Sequence, residues 1–97
     1  MTNFKFKLLG MEWAVKNVDA TENVFSDGLH GLCVPHETTI YIAEGDSESQ
    51  KKNTLIHETL HAIEKTLNLD FTEEEIHGLS AGLHECLQNP EWLKRAK

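Results

Sequence analysis

Two histidines four residues apart, His57 and His61, stand in the segment LIHETLHAIE (residues 55–64), and Glu58 directly follows the first of them. On a helix, imidazoles at positions i and i+4 share one face, so both can bind one Zn²⁺ ion at about 2.0–2.1 Å. Glu58 lies about 100° round the helix from His57, within reach of a water molecule on the metal. Zinc lowers the pKa of such a water to about 7, and Glu58 can pass its proton to a leaving amine. The spacing predicts a zinc-dependent peptidase.

The segment around these histidines has the pattern of an amphipathic helix, which we expect from about residue 47 to 68. Ser47 with Gln50 three residues later fits a capping box at its start. At 100° per residue its apolar side chains form one stripe, and the two histidines border that stripe without standing at its centre. The helix can therefore pack on a core while both imidazoles face a cleft. The stripe consists of Ile56, Leu60, Ile63 and Leu67.

A catalytic zinc ion usually has three protein ligands and one open position, so the site needs a third ligand. A second helix, expected from about residue 72 to 87, is its predicted source, and Glu75 is the preferred candidate because glycines on the same side would let the helices approach closely. Thr72 with Glu75 also fits a capping box, which alone explains a glutamate there. Glu73 to Glu75 equally form an acidic first turn that suits the helix dipole.

Three other residues stay open as ligands. Glu64 lies one turn beyond His61 on the histidine side, either as a ligand or as a partner of a ligand. Asp70 falls in the loop between the helices. His77 is a good zinc donor by chemistry, but the helix periodicity predicts that it faces solvent. His30 falls in a loop-rich segment, where the sequence shows no partner for it.

The order of the predicted elements indicates an α+β domain, with a short antiparallel sheet of two to three strands followed by helices on one sheet face. The first half alternates apolar and polar residues or is rich in β-branched ones. Asn89 and Pro90 have the pattern of a new helix start. The chain, at 97 residues, fits one domain. The predicted elements are strands at 4–9, 11–18 and 38–43 (within about 4–43), helices at about 47–68 and 72–87, and a terminal helix at about 90–96.

Composition narrows the partners and the compartment. Sixteen acidic residues against nine basic ones give a net charge of −7, which argues against nucleic acid as the main partner. No apolar run approaches the roughly 18 residues of a membrane span, and the N-terminus is a poor match to a signal peptide. Cys33 and Cys86 lack metal-binding or redox spacing and are typical of buried thiols in an intracellular protein. We therefore expect a cytoplasmic protein without a membrane partner.

The segment TLIHETLHAI, with TTIYIA before it and EEEIHGLSAGL after it, resembles the small zincin-like metallopeptidases encoded by phages, which are related to the ImmA/IrrE-type family. The resemblance spans roughly residues 28–93. It implies a minimal zincin core, in which a short sheet packs on the HExxH helix and the next helix contributes a glutamate. Glu75 matches the family pattern E-x-x-x-[FL]-[AS]. The resemblance further implies action on a regulatory protein such as a repressor, in the host cytoplasm if the protein is phage-encoded.

The same resemblance points to a place for a peptide substrate. Residues 38–43 are the candidate edge strand on which a protein or peptide would bind as an added strand. Tyr41 on this strand is a candidate donor to the developing negative charge, although a packing role also fits it.

Two other functions stay open. The first is a zincin-like phage protein that binds a partner protein with little or no peptidase activity. The second is a carboxylate-bridged di-iron site built from the pairs Glu58/His61 and Glu74/His77, which would normally need four helices.

Overall fold

The computed structural model describes residues 2–19 and 29–95, in which a four-stranded mixed sheet is followed by two helices. The predicted α+β class is confirmed. Neither helix in this part of the chain is both long and apolar enough to cross a membrane. The strands are β1 (Phe4–Leu8), β2 (Met11–Val18), β3 (Gly31–Val34) and β4 (Thr39–Ala43), a short 3-10 helix (Pro35–Glu37) joins β3 to β4, and the helices are α1 (Glu48–Thr66) and α2 (Glu73–Leu87).

The strand order is β1-β2-β4-β3, and the sheet is larger and more mixed than predicted. β1 and β2 form a hairpin whose two-residue loop, Leu9 and Gly10, has φ of 51° and 85°, as a tight hairpin turn requires. β2 pairs with β4 in parallel, and β4 pairs with β3 antiparallel. The prediction of two to three antiparallel strands is therefore wrong, because periodicity reports which side of a strand is buried and not which strand lies beside it.

Residues 38–43 do not form a sheet edge. β4 has β2 on one side and β3 on the other, so its backbone groups already pair within the sheet. The predicted edge strand is wrong because glycine and proline turn signals surround β3, so its four residues do not have a recognisable strand pattern. Among the described residues, β3 takes the outer position instead.

The core lies between one face of the sheet and α1. Trp13 and Val15 on β2, Ile40 and Ile42 on β4, and Ala62 on α1 form one buried cluster. The parallel register places Val15 beside Ile40, and full burial of each large apolar side chain contributes about 1.5–3 kcal/mol. This packing holds α1 across β3 and β4, which fixes the position of the histidine-bearing turn.

Side-chain caps set where both helices begin. The Ser47 hydroxyl accepts a hydrogen bond from the backbone N–H of Gln50 at 3.1 Å, so α1 begins one residue later. The predicted capping box at this position is only half formed, because the Gln50 side chain donates its hydrogen bond to Thr54 Oγ1. Thr72 and Glu75 form the complete capping box at the start of α2. Both helices end within two residues of the predicted limits.

The predicted terminal helix at 90–96 is not formed over residues 90–95, which adopt turns; residue 96 lies outside the described residues. Asn89 does accept a hydrogen bond from the backbone N–H of Glu91, as a helix cap would. So short a segment cannot repay the cost of helix nucleation without packing, and Trp92 and Leu93 on it are exposed.

Candidate metal centre

His57 and His61 lie one turn apart on α1 and turn the same face toward the start of α2. Their ring centroids are 5.0 Å apart, as the i, i+4 spacing requires. Both side chains are about four-fifths buried, with exposed fractions of 20% and 22%. Both imidazoles are therefore held by packing, and His57 also lies in the wall of a cleft between the helices.

Glu73, the first residue of α2, brings the third ligand atom. Its Oε2 lies 4.0 Å from His57 Nε2, and its Oε1 lies 3.6 Å from His61 Nε2. One ligand atom from each of the three residues lies within 4.8 Å of the other two. Zinc bonds of about 2.0–2.1 Å at tetrahedral angles put neighbouring ligand atoms about 3.3 Å apart. Small side-chain movements would bring the three groups to one ion, so this donor set fits zinc.

The structure does not bring Glu75 to the histidines. Its carboxylate accepts a hydrogen bond from the backbone N–H of Thr72 at 2.8 Å, and the Thr72 hydroxyl accepts one from the Glu75 N–H at 3.1 Å. This is the capping box that the sequence had offered as the other explanation of Glu75. Because two residues correspond to about 200° on a helix, Glu73 and Glu75 cannot both face α1, and Glu73 is the one that does.

Glu64 is a partner of a candidate ligand. Its Oε1 lies 3.1 Å from His61 Nδ1, and its Oε2 accepts a hydrogen bond from the backbone N–H of Phe71 at 2.6 Å. The Phe71 N–H, and next the hydrogen bond with His61, lower the pKa of the Glu64 carboxyl group. An ionised Glu64 keeps the proton of His61 on Nδ1 and leaves Nε2, which faces Glu73, free to bind a metal.

The surroundings of His57 lower the pKa of its imidazole and so favour the neutral form. Burial lowers its pKa, the imidazoles of His61 and His77 lower it further, and the Glu73 carboxylate opposes them. The neutral imidazole is the form that binds a metal ion.

Glu58 is buried where α1 meets β3. Burial raises the pKa of its carboxyl group and the charge of Glu73 adds to the rise, while His61 and the backbone N–H of Cys33 oppose it. β3 comes this close because residue 31 is glycine: a Cβ there would lie 2.5 Å from Thr54 Cγ2 and 3.2 Å from Glu58 Cγ. A carboxylate with a raised pKa beside a candidate metal site is suited to accept a proton near neutral pH.

A cavity of about 540 Å³ opens between β3, α1 and α2, and His57, Glu58 and Glu73 lie in its wall. Away from these residues the wall carries neutral side chains with amide and hydroxyl groups. They are Gln50, Asn53, Thr54 and Ser80. The cleft can therefore bring an uncharged polar ligand such as a peptide up to the candidate metal ligands.

Two further histidines in the cavity wall make contacts that the sequence did not predict. His77 is exposed, as predicted, yet its Nε2 lies 3.9 Å from Glu73 Oε2 and its ring centroid lies 5.0 Å from that of His57. The i, i+4 spacing of Glu73 and His77 in the sequence indicates the contact between these two residues. His30 has a partner after all, because its Nδ1 lies 2.9 Å from Asp46 Oδ2; no local pattern could reveal a pair sixteen residues apart.

The other sequence candidates lie away from the cluster. Ile40 and Ile42 face α1, so Tyr41 between them points to the opposite sheet face, where its hydroxyl donates a hydrogen bond to Glu37 Oε1 at 2.8 Å. Asp70 is exposed in the loop between the helices. The described residues form two α-helices, fewer than the four of a di-iron bundle.

Comparison with known proteins finds no matching family model, no matching curated protein and no matching solved structure. The resemblance to small zincin-like phage metallopeptidases therefore stays a prediction from motifs.

Proposed function

We propose that this protein is a zinc-dependent peptidase with a minimal zincin-like core, in which His57, His61 and Glu73 bind the ion and Glu58 is the general base. The observation that carries the proposal is the convergence of three ligand atoms within 4.8 Å of one another beside a buried carboxylate in the wall of one cleft.

The distances favour a metal site over a simple ion-pair cluster. Glu73 divides its two oxygens between the two imidazoles at 4.0 and 3.6 Å, longer than hydrogen bonds but close to the roughly 3.3 Å between co-ligands of zinc. The lowered pKa of His57 also weakens an ion pair, which needs the charged imidazolium. A neutral imidazole and a carboxylate at such a distance can bind the same cation between them.

The chain's own residues have distinct parts in the proposed reaction. A zinc ion, when bound, would polarise the scissile carbonyl group and activate the attacking water. Glu58 accepts the proton of that water and delivers it to the leaving amine, so that the peptide C–N bond breaks without release of a free amide anion. Glu64 holds the His61 ring in its binding orientation through Nδ1.

The outer edge of β3 is the proposed binding place for an extended peptide. The backbone N–H of Ala43 donates to the His30 carbonyl oxygen, so His30 and Ala43 form a hydrogen-bonded pair. In an antiparallel ladder such pairs alternate, and the backbone groups of Gly31 and Cys33 must therefore face outward. A peptide paired with this edge would run past the general base.

The substrate class that we propose is a protein or peptide, and the motif resemblance suggests an intracellular regulatory protein. One observation favours the alternative, a zincin-like protein that binds a partner with little or no peptidase activity. Apolar side chains on α2 and the turns after it are exposed, which suits a protein contact. They are Leu79, Leu87, Trp92 and Leu93.

Glu58→Gln separates the two functions. The substitution keeps the size of the side chain but removes the base, so we expect zinc to remain bound while cleavage falls about 10²–10⁴-fold. Zinc content and cleavage of a fluorogenic peptide library are measured on wild type, on Glu58→Gln and on the exposed control Glu85→Gln. Equal cleavage by wild type and Glu58→Gln would contradict the peptidase mechanism, and zinc-loaded wild type that cleaves no peptide would favour the partner-binding alternative.

A further inference from the structure

We infer that His77 is a fourth, displaceable ligand that closes the metal centre when no substrate is bound. This inference rests on the proposed zinc site and adds to it a resting state in which the open position is protected by the protein itself.

The first support is distance. His77 Nε2 lies 3.9 Å from Glu73 Oε2, the same oxygen that lies 4.0 Å from His57 Nε2. The ring centroid of His57 is 5.0 Å from that of His61 and 5.0 Å from that of His77. His77 Nε2 is therefore as close to Glu73 Oε2 as His57 Nε2 is, and its ring is as close to that of His57 as the His61 ring is.

The second support is the side from which His77 approaches. His57, Glu73 and His77 all lie in the cavity wall, whereas His61 is held from behind by the buried carboxylate of Glu64. Three ligands leave one tetrahedral position, and a substrate has to reach that position from the cleft. His77 lies in the wall of this cleft, beside the path that a substrate would take to the open position.

The third support is freedom to move. The His77 nitrogen atoms are not within 4.8 Å of all three other ligand atoms, so the ring has to swing inward to bind. Its side chain is 71% exposed, and Glu73 and His77 share one face of α2 at i, i+4. We therefore expect a side-chain rotation at the helix surface to bring the ring to the ion without a change in the backbone.

A site with four protein ligands is typical of structural zinc, and one with an open position is typical of catalysis. The same protein would pass between these two states as a substrate carbonyl group or a zinc-chelating group replaces the His77 imidazole. His77 would thus restrict hydrolysis to ligands that bind the cleft well enough to displace it.

Zinc-edge X-ray absorption counts the imidazoles on the ion directly. We expect three imidazoles in wild type and two in His77→Ala, together with a zinc affinity at least about tenfold weaker. His84→Ala removes an imidazole from the same helix away from Glu73 and should change neither value. Acetohydroxamate, a small zinc chelator, should lower the wild-type count to two. Circular dichroism establishes that each variant is folded, and His77→Gln repeats the test if His77→Ala is not.

Two imidazoles in ligand-free wild type, or an unchanged count in His77→Ala, would overturn the inference while the proposed zinc site stood. Wild type that binds no zinc, or His57→Ala that binds it as wild type does, would overturn the zinc site and the inference together.

Discussion

The His61–Glu64 pair shows how one residue outside the ligand set supports the candidate site. Glu64 is 5% exposed and joins His61 on α1 to the backbone of Phe71 just before α2. It therefore orients a candidate ligand and at the same time links the loop between the helices to α1.

Glu64→Gln tests this role. The variant removes the charge that fixes the His61 tautomer, so we expect zinc affinity to fall about 10–100-fold. Competition with a chromophoric chelator measures the affinity, and the exposed Glu74→Gln, of equal chemistry, is the control. An affinity within twofold of wild type would show that Glu64 does not orient His61.

Cys33 allows an independent test of how tightly β3 packs on α1. Burial raises the pKa of its thiol to about 12, the nearby charge of Glu58 adds to the rise, and Lys65 opposes it. Because the reactive form is the thiolate, a higher pKa means less thiolate at pH 8. We expect one fast thiol in the folded protein with a disulfide reagent and two after unfolding, and no fast thiol in Cys86→Ser. A fast Cys33 at pH 8 would contradict the packing.

At the scale of elements, β3 has to lie against α1 for Glu58 to face the cleft. Gly31→Ala would place a methyl group 2.5 Å from Thr54 Cγ2 and 3.2 Å from Glu58 Cγ, so we expect about 1–3 kcal/mol of destabilisation and weaker cleavage. Gly78→Ala, on α2 with open space around it, should instead stabilise by about 0.5–1 kcal/mol. Urea unfolding of both variants measures the difference, and a neutral Gly31→Ala would argue against the close approach of β3.

The helices and strands also show which parts of the fold local sequence patterns predict. α1 and the capping of both helices follow from local patterns, and so does the shared face of His57 and His61. The position of β4 within the sheet does not follow from local patterns. It depends on β3, which is only four residues long and is surrounded by turn signals. Glu73 and Glu75 are both glutamates, two residues apart, so the sequence does not distinguish them as ligands. The hydrogen bonds of the Thr72 capping box occupy the Glu75 carboxylate, and the Glu73 carboxylate stays available to a metal. The pairing of His30 with Asp46 depends on the tertiary fold alone.

At the scale of the whole molecule, a zinc ion shared by α1 and α2 would link the second helix to the rest of the fold. A ligand bound only to the folded state stabilises by about 4 kcal/mol when its concentration is 1,000 times Kd. We expect a chelator to lower the melting temperature of wild type and added zinc to restore it. The melting temperature of His57→Ala should respond much less to both, and a zinc-insensitive wild type would argue against a shared ion.

The zinc content of Glu73→Ala compared with that of Glu75→Ala tests the metal centre most directly. With a fixed excess of a competing chelator, we expect wild type and Glu75→Ala to keep one zinc ion per chain, and Glu75→Ala to lose only about 0.5–2 kcal/mol from its helix cap. Glu73→Ala should keep clearly less zinc, because the imidazoles that remain should bind it at least about tenfold more weakly. Wild type without zinc would contradict the site, and zinc that is kept by Glu73→Ala but lost from Glu75→Ala would place the ion on the other carboxylate.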